Sequence, residues 1–339
     1  MKSFFASIAC RYPYNTLCKT LFPYSVPIFM LHRFQNRTLG ISGHELPYLR
    51  YVLEFLRRER FNFVSVDDIA HSISSGEPLP PKSVAFTLDD GYWDQIEASA
   101  QLFTHYDCPA TFFVTTGFIN GESWFWDAKI HYVFDNIATP EIQRFQQKFP
   151  DLAGRSSNKL SVIKNIIQKI KNKNIDSIDS TIALVSKEFD IGIPEKAPNK
   201  YAPTSWDRLR QLSDNGLKIG AHSHKHPILS RETEARSYQE IEISRTQLLE
   251  NIPSASNVFC YPVGRSQDFG LREMGFCEKL GFSAAVSAAP FPASTKDKDA
   301  LFCLPRFGLP DNLFDFYQYV SCIENLKNLV LSRKNCLPK

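Results

Sequence analysis

The sequence predicts an α/β fold whose parallel sheet closes, or nearly closes, into a barrel. Short β-rich runs alternate with stretches of helical apolar spacing along most of the chain, the pattern of a parallel sheet with helices outside it. With roughly seven strands, a barrel is a more natural solution than an open sheet. The 339 residues, 43% of them hydrophobic, also supply a core large enough for one big domain or two modest ones.

The candidate strands are Val26–Leu31, Phe63–Ser65, Val84–Leu88, Ala110–Thr115, Lys218–Ala221, Val258–Tyr261, Ser283–Val286 and Leu304–Phe307. Between them, Leu46–Arg58 carries Leu46, Leu49, Val52, Leu53 and Leu56 at helical spacing, and Ile96–Tyr106 and Tyr238–Leu249 read similarly. Residues 1–25 form a lead-in, residues 26–310 the barrel, and residues 311–339 a C-terminal helix and tail. Residues 121–203 interrupt the rhythm. They open on Trp124-Phe125-Trp126-Asp127, continue with helical stretches and end in Pro194, Pro198 and Pro203. Ile163, Ile166, Ile167 and Ile170 make one helical stripe there, with Lys164, Lys169, Lys171 and Lys173 around it, so an inserted helical subdomain is expected. Its lysines read as a solvated face, or as a surface meeting lipid headgroups or a phosphate-bearing substrate.

The balance of 39 basic and 36 acidic residues leaves a net charge of +3, without the basic stripe expected of a nucleic-acid partner. Apolar runs end after a few residues, whereas a membrane-spanning helix needs about 20. The eight cysteines are scattered and include no CxxC pair, which points to reduced thiols in a cytoplasmic protein. The Phe4–Cys10 stretch is short for a signal core and ends at Arg11, so the reading goes against export.

Four segments carry candidate chemistry. Thr87-Leu88-Asp89-Asp90-Gly91-Tyr92 runs from a strand into two adjacent carboxylates. At the C-terminal end of a barrel strand, such acids can divide labour, one holding a cation and the other moving a proton. Asp-Asp-Gly is also ordinary turn chemistry. His222-Ser223-His224-Lys225-His226 gathers three of the eight histidines. His222 and His226, four apart, would face the same way on a helical turn, leaving His224 a structural role. Two imidazoles and a carboxylate suit a transition-metal ion with open positions. Tyr261-Pro262-Val263-Gly264 is a strand entering a turn, with a backbone N–H to offer an oxyanion. Finally, Arg306 in the apolar run Leu304–Leu309 requires a carboxylate partner if buried.

Taken together, Thr87–Gly91, His222–His226 and Tyr261–Gly264 resemble the first three motifs of the polysaccharide deacetylases, the NodB-homology group or carbohydrate esterase family 4. Ile28–Arg33, Pro109–Val114 and Ser205-Trp206 resemble the family's flanking segments, so the likeness covers residues 26–127 and 201–310. The resemblance implies a distorted (β/α)7 barrel and one divalent metal ion, Zn²⁺ first with Co²⁺ or Ni²⁺ as alternatives. It implies hydrolysis of an N-acyl group, usually acetyl, from an amino sugar in a polysaccharide, an oligosaccharide or a glycan precursor. Asp89 matches the family's general base, Asp90 its metal-binding carboxylate, and His222 and His226 its histidine ligands. Tyr92, Tyr261 and Val263 match the substrate and oxyanion side of the site.

Three departures qualify the match. Leu88 replaces the usual Phe, Cys260 stands where the third motif has its Arg, and no histidine follows His226, so the usual C-terminal acid is missing. A permuted subgroup carries that histidine at the end of the first strand, the position of His32, which is therefore the expected acid. Charge logic assigns Arg306 to orient Asp89 in place of the missing Arg. Two other readings compete: a deformylase or deacetylase of a lipid-linked sugar touching the inner membrane face, and a non-catalytic carbohydrate-binding relic. The joint presence of Asp89, Asp90, His222 and His226 argues against the relic.

Overall fold

The computed structural model describes residues 8, 10–11, 14–154, 158–321 and 323–330. Seven parallel strands form the curled main sheet. In chain order they are β1 (Ile28–Leu31), β2 (Ser83–Asp90), β3 (Thr111–Val114), β4 (Lys218–Ala221), β5 (Val258–Cys260), β6 (Ala284–Val286) and β7 (Phe307–Gly308). Their spatial order is β7-β1-β2-β3-β4-β5-β6, so the last strand lies beside the first. The segment around Arg306 draws the two edges together. Leu304 bridges Val286 in parallel, while Phe307 pairs with Phe29 three residues on.

Strand alternation sorts the residues into two layers. Phe29, Leu31, Phe86, Leu88, Phe112, Val114, Phe259 and Ala285 join the core shared with the outer helices. Ile28, Ala85, Phe113, Val258, Cys260, Ala284, Val286 and Leu304 fill the barrel interior. Asp89 is in phase with Ala85, and its side chain is thereby aimed inward at the C-terminal mouth.

The helix Leu46–Arg58 has the predicted bounds and buries Leu49, Val52, Leu53, Phe55 and Leu56. Trp93–His105 starts before the expected Ile96–Tyr106 and ends one residue short of it, and Glu234–Asn251 extends beyond Tyr238–Leu249 at both ends. The predicted Val26–Leu31 strand divides at Pro27, which has no N–H to donate. Its first part, Ser25–Val26, pairs antiparallel with Ala293–Ser294. The predicted Phe63–Ser65 strand is Asn62–Phe63, paired with the start of β2. Ser65 instead caps the helix Val66–Ser75, in a capping box with Asp68.

Within 121–203, the helices Trp126–Asp135, Thr139–Lys148, Pro150–Ala153, Lys159–Ile170 and Ile175–Glu188 enclose their own apolar cluster. Ile163, Ile166 and Ile170 point into it, as their spacing predicts, and Ile228 and Val263 of the barrel close its edge. The insertion thus sits at the mouth of the barrel. The chain returns along residues 199–204, which hydrogen-bond to Gly91 and Trp93.

The lead-in contributes the helix Tyr14–Leu21, and the Phe4–Cys10 stretch, Ile8 and Cys10 apart, lies outside the described residues. In the C-terminal stretch, Leu313–Val320 is part of the barrel wall, with Phe316 packed on Phe29 and Phe55. Among the described residues no helix is long and apolar enough to cross a membrane.

Candidate active site

The C-terminal ends of the strands converge on one cleft. β1 delivers His32, β2 Asp89 and Asp90, β4 His222, β5 Cys260 and β6 Ser287, and Arg306 precedes β7. Asp89 is 2% exposed and Arg306 1%. They form a two-pronged ion pair, Nη1 to Oδ1 and Nη2 to Oδ2, both at 2.7 Å. Arg306 is held by further bonds to the Ser287 carbonyl at 2.9 Å, Thr87 Oγ1 at 2.9 Å and Cys260 Sγ at 3.2 Å. The predicted partner of Asp89 is therefore in place. It arrives from the end of the barrel, and Cys260 accepts a hydrogen bond from it. Burial pushes the Asp89 carboxyl up, but the charge and hydrogen bonds of Arg306 outweigh it and hold the group below the usual carboxylate range.

Asp90 is the exception to the strand's alternation. Neighbouring strand residues face opposite sides, yet Asp90 has φ of 92° and its carboxylate turns toward the histidines. Gly91 follows at φ of 96°, where a Cβ would meet Ile119 Cδ1 at 3.0 Å. Asp90 Oδ1 lies 3.7 Å from His222 Nε2 and 3.8 Å from His226 Nε2. These gaps exceed hydrogen-bond lengths but let three donors share one ion at bond lengths of about 2 Å.

The two imidazoles meet by a route the sequence reading did not foresee. No helical turn carries them: His222–Ile228 is a loop, with Ser223 at φ of 60° and His226 at 58°. Ser223 Oγ accepts the His226 N–H at 3.0 Å, and buried Glu240 accepts the N–H groups of His224 and Lys225 at 3.0 and 2.7 Å. Gly117 lets the loop approach, because a Cβ there would stand 2.7 Å from the His224 carbonyl oxygen. His224 itself turns away to Thr116 and Glu122, in the structural role expected of it.

His222 Nδ1 lies 2.8 Å from the Cys260 carbonyl, which fixes that nitrogen as the proton carrier and leaves Nε2 as a lone-pair donor. Burial pushes the His222 pKa down to about 4 and that of His226 well below its ordinary value. Both rings are therefore neutral, as metal ligands must be. Asp90 is driven the other way, first by burial and then by the charges of Asp89 and Asp127. His226 Nδ1 is buried with no hydrogen-bond partner among the described residues. An orphaned imidazole and a carboxylate short of positive charge fit a divalent cation held by Asp90, His222 and His226, whose ligand atoms lie within 4.8 Å of one another. Asp89, His222 and Cys260 form a second such group, but Arg306 already neutralises Asp89.

His32 is exposed in the cleft. Its pKa is lowered because the cleft walls strip water from the ring, against the raising influence of Asp89. Val263 has φ of 60°, and its N–H makes no hydrogen bond among the described residues. The turn around it is pinned by Gly264, which donates to Pro262 and accepts from Ala288. Tyr92 lines the mouth under Arg33, whose guanidinium carbon lies 4.2 Å from the ring centre. Tyr261 corrects the expectation of a substrate contact. Its ring stacks on Phe269 at 3.9 Å and its hydroxyl donates to the Phe302 carbonyl, so the side chain belongs to the core.

Two residues escaped the sequence reading. Buried Gln95 donates to the carbonyls of both His32 and Asp89 and accepts the Gly91 N–H, tying β1 to β2 at the site. Its only signal was a polar residue on the inner face of an amphipathic helix. Asp127 lies in the first turn of the helix Trp126–Asp135, and its charge reaches His32, Asp90 and Tyr92. The aromatic cluster had drawn notice to the segment but not to this carboxylate.

A buried acid with a fixed cation, a carboxylate–imidazole group and an exposed histidine thus meet at one barrel mouth. Residues 76–159 and 164–276 match the sequence model described as polysaccharide deacetylase. The chain belongs to that family, and it is a hydrolase of non-peptide carbon–nitrogen bonds. No curated protein sequence matches it. Among solved structures it is similar to the Streptococcus pyogenes deacetylase PplD in complex with acetate, at TM-score 0.57 and 15% identity over 92% of this chain and 99% of the other. It is also similar to IcaB from Ammonifex degensii, at 0.55 and 16% over 88% and 97%. The deacetylase domain of BpsB from Bordetella bronchiseptica gives 0.52 and 16% over 84% and 95%. These likenesses show the fold, the distorted barrel expected from the sequence.

Proposed function

We propose that the chain removes an N-acetyl group from an amino sugar within a saccharide, with one divalent cation bound by Asp90, His222 and His226. The observation that carries this reading is the pairing of that donor group with the Arg306-held carboxylate of Asp89 in one cleft. Membership of the family supports the reaction class. A divalent cation in that position would polarise the acyl carbonyl and acidify the attacking water.

The chain's own groups then divide the proton work. Asp89, ionised at neutral pH, takes a proton from the attacking water. So weak a base suits only an acidified water, which is why the two centres must be adjacent. The Val263 N–H donates to the developing oxyanion. As the carbon–nitrogen bond breaks, His32 in its protonated form gives a proton to the leaving amine; acetate and the free amino sugar result, and the proton held by Asp89 returns through solvent to reset His32. Tyr92 and Phe125 form the apolar wall of the mouth, Phe125 packing its ring against His226 at 4.9 Å.

The test is acetate release from a panel of N-acetylated oligosaccharides by chelated protein, with and without added Zn²⁺, Co²⁺ or Ni²⁺. The reading expects metal-restored activity in the parent and none in Asp90→Ala. Activity unaffected by chelation and by Asp90→Ala would overturn it.

A further inference from the structure

The barrel loops beside the catalytic mouth and the end of an insertion helix bring three cations together. Arg231 follows the histidine loop, Arg265 lies two residues beyond Val263, and Lys171 follows the helix Lys159–Ile170. The two barrel loops are locked to each other. The Ser230 N–H donates to the Asp268 carbonyl at 3.1 Å, the Ser230 hydroxyl donates to the Gln267 carbonyl at 2.8 Å, and Arg265 N–H donates to Asp268 Oδ2 at 3.0 Å. Ile228 and Val263 from these loops pack into the same apolar cluster as Ile170, which brings Lys171 to them.

Other arginines nearby are matched with acids: Arg236 pairs with Asp176 and Glu232, and Arg272 with Glu273. Arg231, Arg265 and Lys171 form no ion pair with a carboxylate among the described residues. Asp268 is 4% exposed, and burial raises its pKa against the lowering influence of the Arg265 N–H and of the Lys171, Arg265 and Arg231 charges. Asp268 spends an oxygen on the Arg265 N–H. Three cations near one buried anion leave a local excess of positive charge, and Arg231 and Arg265 are exposed residues. Elsewhere the chain is nearly balanced, with a net charge of +3 over its whole length, so this concentration beside the mouth is a local feature.

We propose that Arg231, Arg265 and Lys171 form a subsite for an anionic group, a phosphate or a carboxylate, borne by the saccharide next to the sugar being deacetylated. Arginine forks suit both oxyanions, and lysine adds a point charge. The inference rests on the deacetylase reading for its substrate and extends it to an acidic one.

The test uses three fluorescently labelled N-acetylated oligosaccharides of equal length: neutral, carrying one phosphate, and carrying one uronate carboxylate. Binding to the full chain is measured by anisotropy, and acetate release is measured in parallel. The parent should bind at least one acidic form more tightly than the neutral one, by roughly tenfold, and the preference should fade as salt is raised. Arg231→Gln/Arg265→Gln should remove that preference and raise KM for the acidic form, with kcat and all neutral-substrate values unchanged. Phosphate-only or carboxylate-only preference would identify the group. Equal binding of neutral and acidic forms by the parent, or an unchanged preference in the double variant, would overturn the subsite. Acidic binding lost in the variant but without acetate release from any substrate would keep the subsite and count against the deacetylase reading.

Discussion

Replacing Arg306 with Met tests whether the ion pair with Asp89 keeps the site charged. The substitution removes both prongs on Asp89 and the bonds to Ser287, Thr87 and Cys260. Breaking a buried pair by removing one partner costs about 3–5 kcal/mol, because the remaining charge is stranded. That is a large part of the roughly 5–15 kcal/mol that stabilises a domain. The cost should depend on pH, and its sign follows from the two states of Asp89. In the parent its pKa is depressed, so its contribution is present above the unfolded value of about 3.9 and is lost as pH falls through the folded value. In the variant, burial acts unopposed and raises the pKa, so destabilisation grows as pH rises above the unfolded value. The gap between parent and variant should therefore widen from pH 4 toward pH 7 and shrink further below pH 4. Urea unfolding followed by tryptophan fluorescence, with chelator present throughout, measures it. A gap under about 1 kcal/mol at pH 7, or one that does not change with pH, would refute the buried-pair argument.

Asp89→Asn should retain bound metal by elemental analysis and lose turnover by roughly 10²–10⁴-fold, since its carboxylate moves a proton; wild-type turnover would place the base elsewhere. His32→Ala should lower kcat on an N-acetyl sugar over a similar range of about 10²–10⁴-fold, with a smaller loss on an aryl acetate, whose leaving group needs little protonation; equal losses on both would indicate a structural role. His222→Ala should abolish the binding of one divalent ion per chain, measured with Co²⁺ by its absorption spectrum; full occupancy would show that the donor group is misassigned. Tyr261→Phe should leave kcat unchanged and cost about 0.5–1.5 kcal/mol, the worth of the hydrogen bond to Phe302; a large fall in kcat with native stability would return Tyr261 to the substrate side.

The sequence by itself determined the class of fold and singled out the residues that the cleft gathers. Those properties are written locally. Alternation and helical spacing place Ala85, Phe86 and Leu49 on their proper faces, and Asp89, Asp90, His222 and His226 stand in motifs that can be read along the chain. Tertiary structure decided which of these groups meet and by what backbone path. The i, i+4 spacing of His222 and His226 suggested a helix, but Glu240, Ser223 and Gly117 bend the segment into a loop, and those partners come from distant elements or from a positive φ that spacing does not encode. Asp90 escapes strand alternation for the same reason. Tyr261 sits in a motif yet spends its ring on Phe269 and its hydroxyl on Phe302, a competition decided only when the core is packed. Arg306 required a partner because a buried charge is costly alone. That the partner is Asp89, 217 positions away in sequence, follows from the sheet curling until its last strand lies beside its first, a closure that depends on the packing of all seven strands together.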